Sequence, residues 1–146
     1  MNGKNALENP TQPDLRIAEV MPSCLRLPLI AKWFEMTEQR IKLEDYREIN
    51  EYWLKRLFSN CEKEMIPDIL ENINRGWSIE SIGDYYLHFP KRFDFNVMTL
   101  GYPKATDSKR ILKLEHKGIE IRTGNQDWGA VPNKLYFVIV HGDVIA

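Results

Sequence analysis

The chain has 146 residues, of which 43% are hydrophobic and 28% charged, with a formal net charge of −1. That length supports one ordinary core, and an aromatic share of 11% argues for a packed globule rather than disorder. No apolar run approaches the roughly 18 residues that cross a bilayer, and no signal-peptide core follows Met1. Cys24 and Cys61 have no C-x-x-C spacing, which excludes a disulfide framework as the organising device. The expectation is a cytoplasmic protein with no membrane partner.

Residues 1–22, with Pro10, Pro13 and Pro22, predict a flexible arm, and residues 23–146 a single domain. Ser23–Leu29 reads as a strand. Ala31–Thr37 reads as a short helix with Phe34 and Met36 turned inward. A β-prone run over 42–49 follows, then a helix over Glu51–Ser59, with Trp53/Leu57 and Leu54/Phe58 spaced i,i+4. Residues 59–90 predict a helical insertion. Ile66, Ile69, Leu70 and Ile73 mark one helix ending before Gly76, and Ser78 is positioned to cap the next. From Phe93 the period changes to two. Phe93–Thr99, Ile111–Ile121 and Leu135–Val140 predict strands, Gly118 a bulge, and Gly124–Gly129 a loop. Helices set among strands define an α+β fold.

Charge is unevenly placed. Gly101–Thr123 carries six basic and three acidic residues, whereas Ser59–Pro90 carries two basic and six acidic ones. A local basic surface around Lys104–Lys117 is compatible with nucleic acid despite the near-neutral total, and equally with ordinary solvated charge. His88, His116 and His141 are too scattered to predict a metal site, and nothing points to a cofactor.

The densest chemistry lies in Lys42-Leu43-Glu44-Asp45-Tyr46-Arg47-Glu48-Ile49. Alternation places Leu43, Asp45, Arg47 and Ile49 on one face, so a carboxylate and a guanidinium fall between apolar residues. If that face looks inward, each charge needs the other or a ligand. Lys42 has the opposite parity to Asp45. It reaches the same site from the turn before the strand or through a bulge. Lys42, Asp45 and Arg47 are therefore candidate ligand-binding residues, the plainer alternative being an internal ion pair that fixes register. Tyr102 after Gly101 and Trp128 before Gly129 are loop aromatics available for stacking on a base, with plugging of the barrel end the equal alternative for Trp128. Trp53, at helical spacing, reads more readily as core.

Arg40-Ile41-Lys42-Leu43-Glu44-Asp45-Tyr46-Arg47 resembles the ASCH-domain signature Gly-x-Lys-x-x-Glu-x-Arg. Lys42 and Arg47 match, Asp45 stands for the glutamate, and Arg40 stands for the glycine. Leu27-Pro28-Leu29 with Lys32-Trp33-Phe34, Tyr52-Trp53 with Arg56-Leu57, and Gly124 with Trp128-Gly129-Ala130 and Leu135–Ile139 extend the likeness over about Leu25 to Ile145. A glycine at the Arg40 position takes φ > 0 freely, whereas arginine does so reluctantly. The resemblance implies a PUA-like, small, partly closed β-barrel with flanking helices. It further implies an RNA-, nucleotide- or nucleoside-binding cleft lined by Lys42, Asp45 and Arg47. Some members of the family are amidohydrolases on acylated cytidine and carry threonine at the Asp45 position. The alternative expectation is accordingly a hydrolase of a modified nucleoside or an RNA phosphodiester. It would use Lys42, Asp45 and Glu115, with a carboxylate as general base toward water. A protein-interaction role through the acidic insertion is a third class.

Overall fold

The computed structural model describes residues 23–59 and 61–145, so the arm expected over 1–22 lies outside the described residues. The architecture is α+β: a five-stranded, curled half-barrel sheet flanked by four α-helices. The elements run β1 (Cys24–Leu29), α1 (Ala31–Glu38), β2 (Glu44–Arg47), α2 (Glu51–Leu57), α3 (Ile66–Asn74), α4 (Ile79–Tyr86), β3 (Phe95–Leu100), β4 (Ile111–Thr123) and β5 (Leu135–Val144). The sheet order is β1-β3-β4-β5-β2. The β1–β3 pair is parallel and the remaining pairs are antiparallel. No helix among the described residues is long and apolar enough to cross a membrane.

β1 and β2 are the two edges of this open sheet. Pro28 is tolerated in β1 because an edge strand leaves one row of amides unpaired, so a residue lacking N–H costs no ladder bond there. Leu25, Leu27 and Leu29 alternate inward from the same strand. β3 is buried on both faces over Asn96–Thr99, which is why polar Asn96 must find partners inside the protein. β4 and β5 form the longest pairing, with register shifts on either side of His116. Gly118, at φ 132°, closes the bulge in a conformation that side chains rarely adopt, at the place where the sequence predicts it.

α1 ends on a left-handed residue. Arg40 has φ 63°, its N–H bonds the Thr37 carbonyl at 3.0 Å, and the Ile41 N–H bonds Met36 O at 2.9 Å. This is the Schellman arrangement, and it throws the chain from α1 directly into Lys42 and β2. α1 buries Phe34 and Thr37 rather than the expected Phe34 and Met36, since Thr37 hides its hydroxyl by donating to Trp33 O at 2.7 Å. Asn50 caps α2 by accepting from Trp53 N, and Ser78 caps α4 by accepting from Ser81 N, as its spacing predicts. α3 and α4 occupy the region between α2 and β3, with Ile66, Ile69, Ile73 and Ile82 fully buried in the main core.

Candidate functional site

The regular part of β2 is shorter than the β-prone run suggests, and this solves the parity problem. Lys42 precedes the strand, in the turn after α1, and its side chain folds back to meet Asp45. Lys42 Nζ lies 2.5 Å from Asp45 Oδ1 and donates to the Glu44 carbonyl at 2.7 Å. Both side chains are almost wholly removed from solvent, Lys42 at 2% exposure and Asp45 at 3%. Burial of an ammonium and a carboxylate is tolerable only when each is paired and its remaining donors or lone pairs are used.

Asp45 Oδ2 is used by His141 Nε2 at 2.6 Å. A carboxylate can only accept, so His141 carries its proton on Nε2 and presents Nδ1 as an acceptor. Asn96 Nδ2 donates to that nitrogen at 2.7 Å, and Asn96 Oδ1 accepts from His116 Nδ1 at 2.8 Å. A chain of hydrogen bonds therefore runs His116–Asn96–His141–Asp45–Lys42 through the interior, with each donor matched to an acceptor. Burial alone would raise the Asp45 pKa. The His141 hydrogen bond and the Lys42 charge outweigh it and hold the group down at about 2. Lys42 is displaced below the ordinary lysine value because desolvation exceeds what Asp45 restores. His116 is pushed down to about 4, first by burial and then by its neighbour His141.

The other face of β2 is a brace. Arg122 forks onto Glu44 at 2.7 and 2.9 Å, and Tyr46 donates to the same carboxylate at 2.6 Å. Tyr46 in turn accepts from Asn125 N at 2.8 Å, which fastens β2 to the loop carrying Trp128. Gly124 packs on the Tyr46 ring so closely that an added Cβ would lie 2.6 Å from it.

Two adjoining cavities occupy the seam between the edge strands. The first, about 440 Å³, lies between the end of β1, Trp33 of α1, β2 and the 128–131 loop. It is lined by Lys42, Asp45, Arg47 and Trp128. The second, about 510 Å³, lies between β1, α2 and the segment after β3, with Tyr102 on its wall. Arg47 and Pro28 line both. Arg47 reaches across the seam toward Pro28 O at 3.4 Å and stacks on Trp53, its Cζ 4.9 Å from the ring centroid. Its Nε is buried without a partner among the described residues.

Four of the five residues nominated from sequence for a ligand therefore surround one cavity, and Tyr102 stands in its neighbour. Glu115 does not join them. It lies on β4, accepts from Asp143 N at 3.0 Å and approaches Lys117 at 3.7 Å. Nor do Lys104 and Lys117 line either cavity; the positive charge at the seam comes from Lys42, Arg47 and Lys134 in the first cavity and from Arg26, Arg47 and Arg56 in the second. Trp53 packs against the core and also lines a cavity, so the reading of it as core covers part of its surface. Sequence reasoning missed Asn96 and His141. The available signal was the polar residue inside the apolar strand β3, and the histidine directly after the apolar run of β5. No group of His, Cys, Asp and Glu among the described residues is arranged to hold a metal ion.

The fold and site define an open α+β half-barrel whose unclosed seam holds a buried Lys–Asp–His network beside a cationic, aromatic-walled cleft. Comparison with protein-family models, curated proteins and solved structures found no match, so the functional reading rests on this geometry and on the signature residues.

Proposed function

We propose that this protein is an RNA- or nucleotide-binding module of ASCH type that takes its ligand in the seam cavity bounded by Lys42, Asp45, Arg47 and Trp128. The observation that carries the reading is the meeting of these side chains at one open cavity although Lys42 and Asp45 have opposite parity. The left-handed Arg40 supports it as well, because the signature places glycine, the residue suited to that conformation, at this position. An Arg47 fork suits a base edge or a phosphate, and Trp128 supplies a π-face.

Hydrolysis is the weaker reading of the same cavity. Asp45 has both oxygens engaged and a pKa of about 2, too acidic for a general base near neutrality. Glu115 is turned to Asp143 and Lys117, away from Lys42. An aspartate cannot replace the threonine of the deacylating members, since its acyl adduct would be an anhydride.

The test is a binding panel of nucleosides, nucleotides and short single-stranded RNAs, read by tryptophan fluorescence and calorimetry. Product analysis on N-acylated cytidines runs alongside it. The expected result is saturable binding weakened by Arg47→Ala, with no turnover above background. Turnover abolished by Lys42→Ala would replace the binding module with an enzyme acting through water, and absence of binding across the panel would remove the reading.

A further inference from the structure

The second seam cavity has a composition that the signature residues do not account for. Arg26 from β1, Arg47 from β2 and Arg56 from α2 all line it, and no aspartate or glutamate does. Among the described residues none of the three forms a salt bridge, although Arg75, Arg110 and Arg122 elsewhere each do. Arg56 is held in place rather than free. It donates to Arg26 O and to the Tyr52 hydroxyl, each at 3.2 Å, and its Cζ lies 5.2 Å from the Trp53 ring centroid. Arg47 stacks on the same ring.

Two guanidiniums against one indole, with a third on β1 across the seam, repel one another unless an anion sits between them. Burial holds the Arg47 pKa below the ordinary arginine value; the Asp45 charge on the same strand raises it in part, and the smaller repulsion from Arg56 lowers it again. Asp45 makes no hydrogen bond or salt bridge to Arg47 among the described residues; its oxygens are turned to Lys42 and His141 instead.

We propose that Arg26, Arg47 and Arg56 form a phosphate-binding subsite next to the Lys42–Asp45 cavity, with Arg47 as the wall common to both. A ligand spanning the seam places its phosphate among the three guanidiniums and its base in the neighbouring cavity; the placement of the base rests on the reading given above. Planar five-donor forks match the oxygens of a phosphate, and the Trp53 ring holds two of those forks in place. The cavity is large enough for a phosphate with part of its sugar. The same chemistry serves a free mononucleotide or one phosphate of an RNA strand.

The deciding experiment compares four probes on the whole protein: each nucleoside, its 5′-monophosphate, inorganic pyrophosphate and a short single-stranded oligoribonucleotide. Affinities come from calorimetry, with circular dichroism as a check on folding. The 5′-monophosphate is expected to bind about tenfold or more tightly than its nucleoside, the effect of one good charge-assisted contact. Arg56→Gln and Arg26→Gln should each remove several-fold of that advantage and leave nucleoside affinity unchanged. Arg56→Lys should recover only part of it, because charge returns without the fork. An oligoribonucleotide that binds far more tightly than the monophosphate, with the same Arg56 dependence, assigns the phosphate to a strand; similar affinities assign it to a free nucleotide. Equal binding of nucleoside and monophosphate, or an advantage untouched by Arg56→Gln and Arg26→Gln, overturns the subsite. Pyrophosphate binding that needs Arg56, with no nucleoside bound at all, keeps the subsite and removes the base from the cavity beside it.

Discussion

Lys42 puts an ammonium beneath the Trp33 ring, 5.9 Å from its centroid, and Asp45 must answer that charge from within the protein. Such a pair is weak evidence of stability, but breaking it is costly because one charge is left buried alone. Asp45→Asn should therefore destabilise the fold by about 3–5 kcal/mol in chemical denaturation. Adding Lys42→Met to it should cost less than the sum of the two single changes, since the partner no longer needs compensation. Additive losses would show that the two residues act independently. Two pH dependences follow from the same network. Asp45 is depressed from 3.8 to about 2, so its contribution is complete above about pH 4 and disappears as the pH falls toward 2. His116 is depressed from 6.5 to about 4, so the folded state resists its protonation. Its contribution is complete above pH 6.5 and declines as the pH falls toward 4. The ring is only partly buried, so solvent screening limits this loss to about 1 kcal/mol. Urea midpoints measured between pH 7 and 4 should show a shallower decline in His116→Gln than in the parent, and parallel curves would contradict the assignment.

Among the elements, the end of α1 decides how β2 begins. The hydrogen bonds of Arg40, Ile41 and Lys42 back to Thr37 and Met36 reverse the chain within one turn. That reversal turns Lys42 toward Asp45 instead of leaving it on the outer face of β2. Arginine adopts φ 63° at a cost that glycine avoids, and the ion pair it makes among the described residues, to the exposed Asp143 at 4.0 Å, is long. Arg40→Gly should thus raise stability by about 0.5–1 kcal/mol, net of the extra chain entropy of glycine in the unfolded state. Thermal unfolding would register this as a Tm a few degrees higher, and a lower Tm would mean that the Arg40 side chain contributes more than its strain costs. On the opposite face, Glu44, Tyr46 and Arg122 tie β2 to β4 and to the 125 loop, so the edge strand that carries the site is braced from behind.

For the molecule as a whole, incomplete closure of the sheet is the organising fact. A closed barrel would pair β1 with β2 and erase the seam; the curled half-barrel leaves both edges free and fills the gap with Lys42, Asp45 and the arginines. If the seam takes single-stranded RNA as proposed, affinity should fall with salt, with a log–log slope of about −0.7 for each phosphate contacted. Arg47→Ala should cost more affinity than Lys117→Ala. Arg47 faces both cavities, whereas Lys117 is exposed beside Glu115 and lines neither. Equal losses, or binding indifferent to salt, would shift the interface to the Lys104–Lys117 surface or remove it.

Much of this was legible in one dimension. The period-two and helical patterns place most of the strands and helices, Ser78 announces its cap and Gly118 its bulge, because these are local choices made by neighbouring residues. The spacing of Lys42, Asp45 and Arg47 likewise announces charges set among apolar positions, which must be paired or occupied, and Lys42 and Asp45 pair with each other. Tertiary structure decided the rest. Asp45 meets His141 across 96 residues of chain, His141 meets Asn96 across 45, and Arg56 meets Arg26 across 30. No local pattern encodes such meetings, because they arise when the β2–β5 and β3–β4–β5 registers are set and the sheet curls. Glu115 shows the converse: the resemblance offers it as the downstream carboxylate of a hydrolase, and the bulged strand that carries it turns it to Asp143 instead.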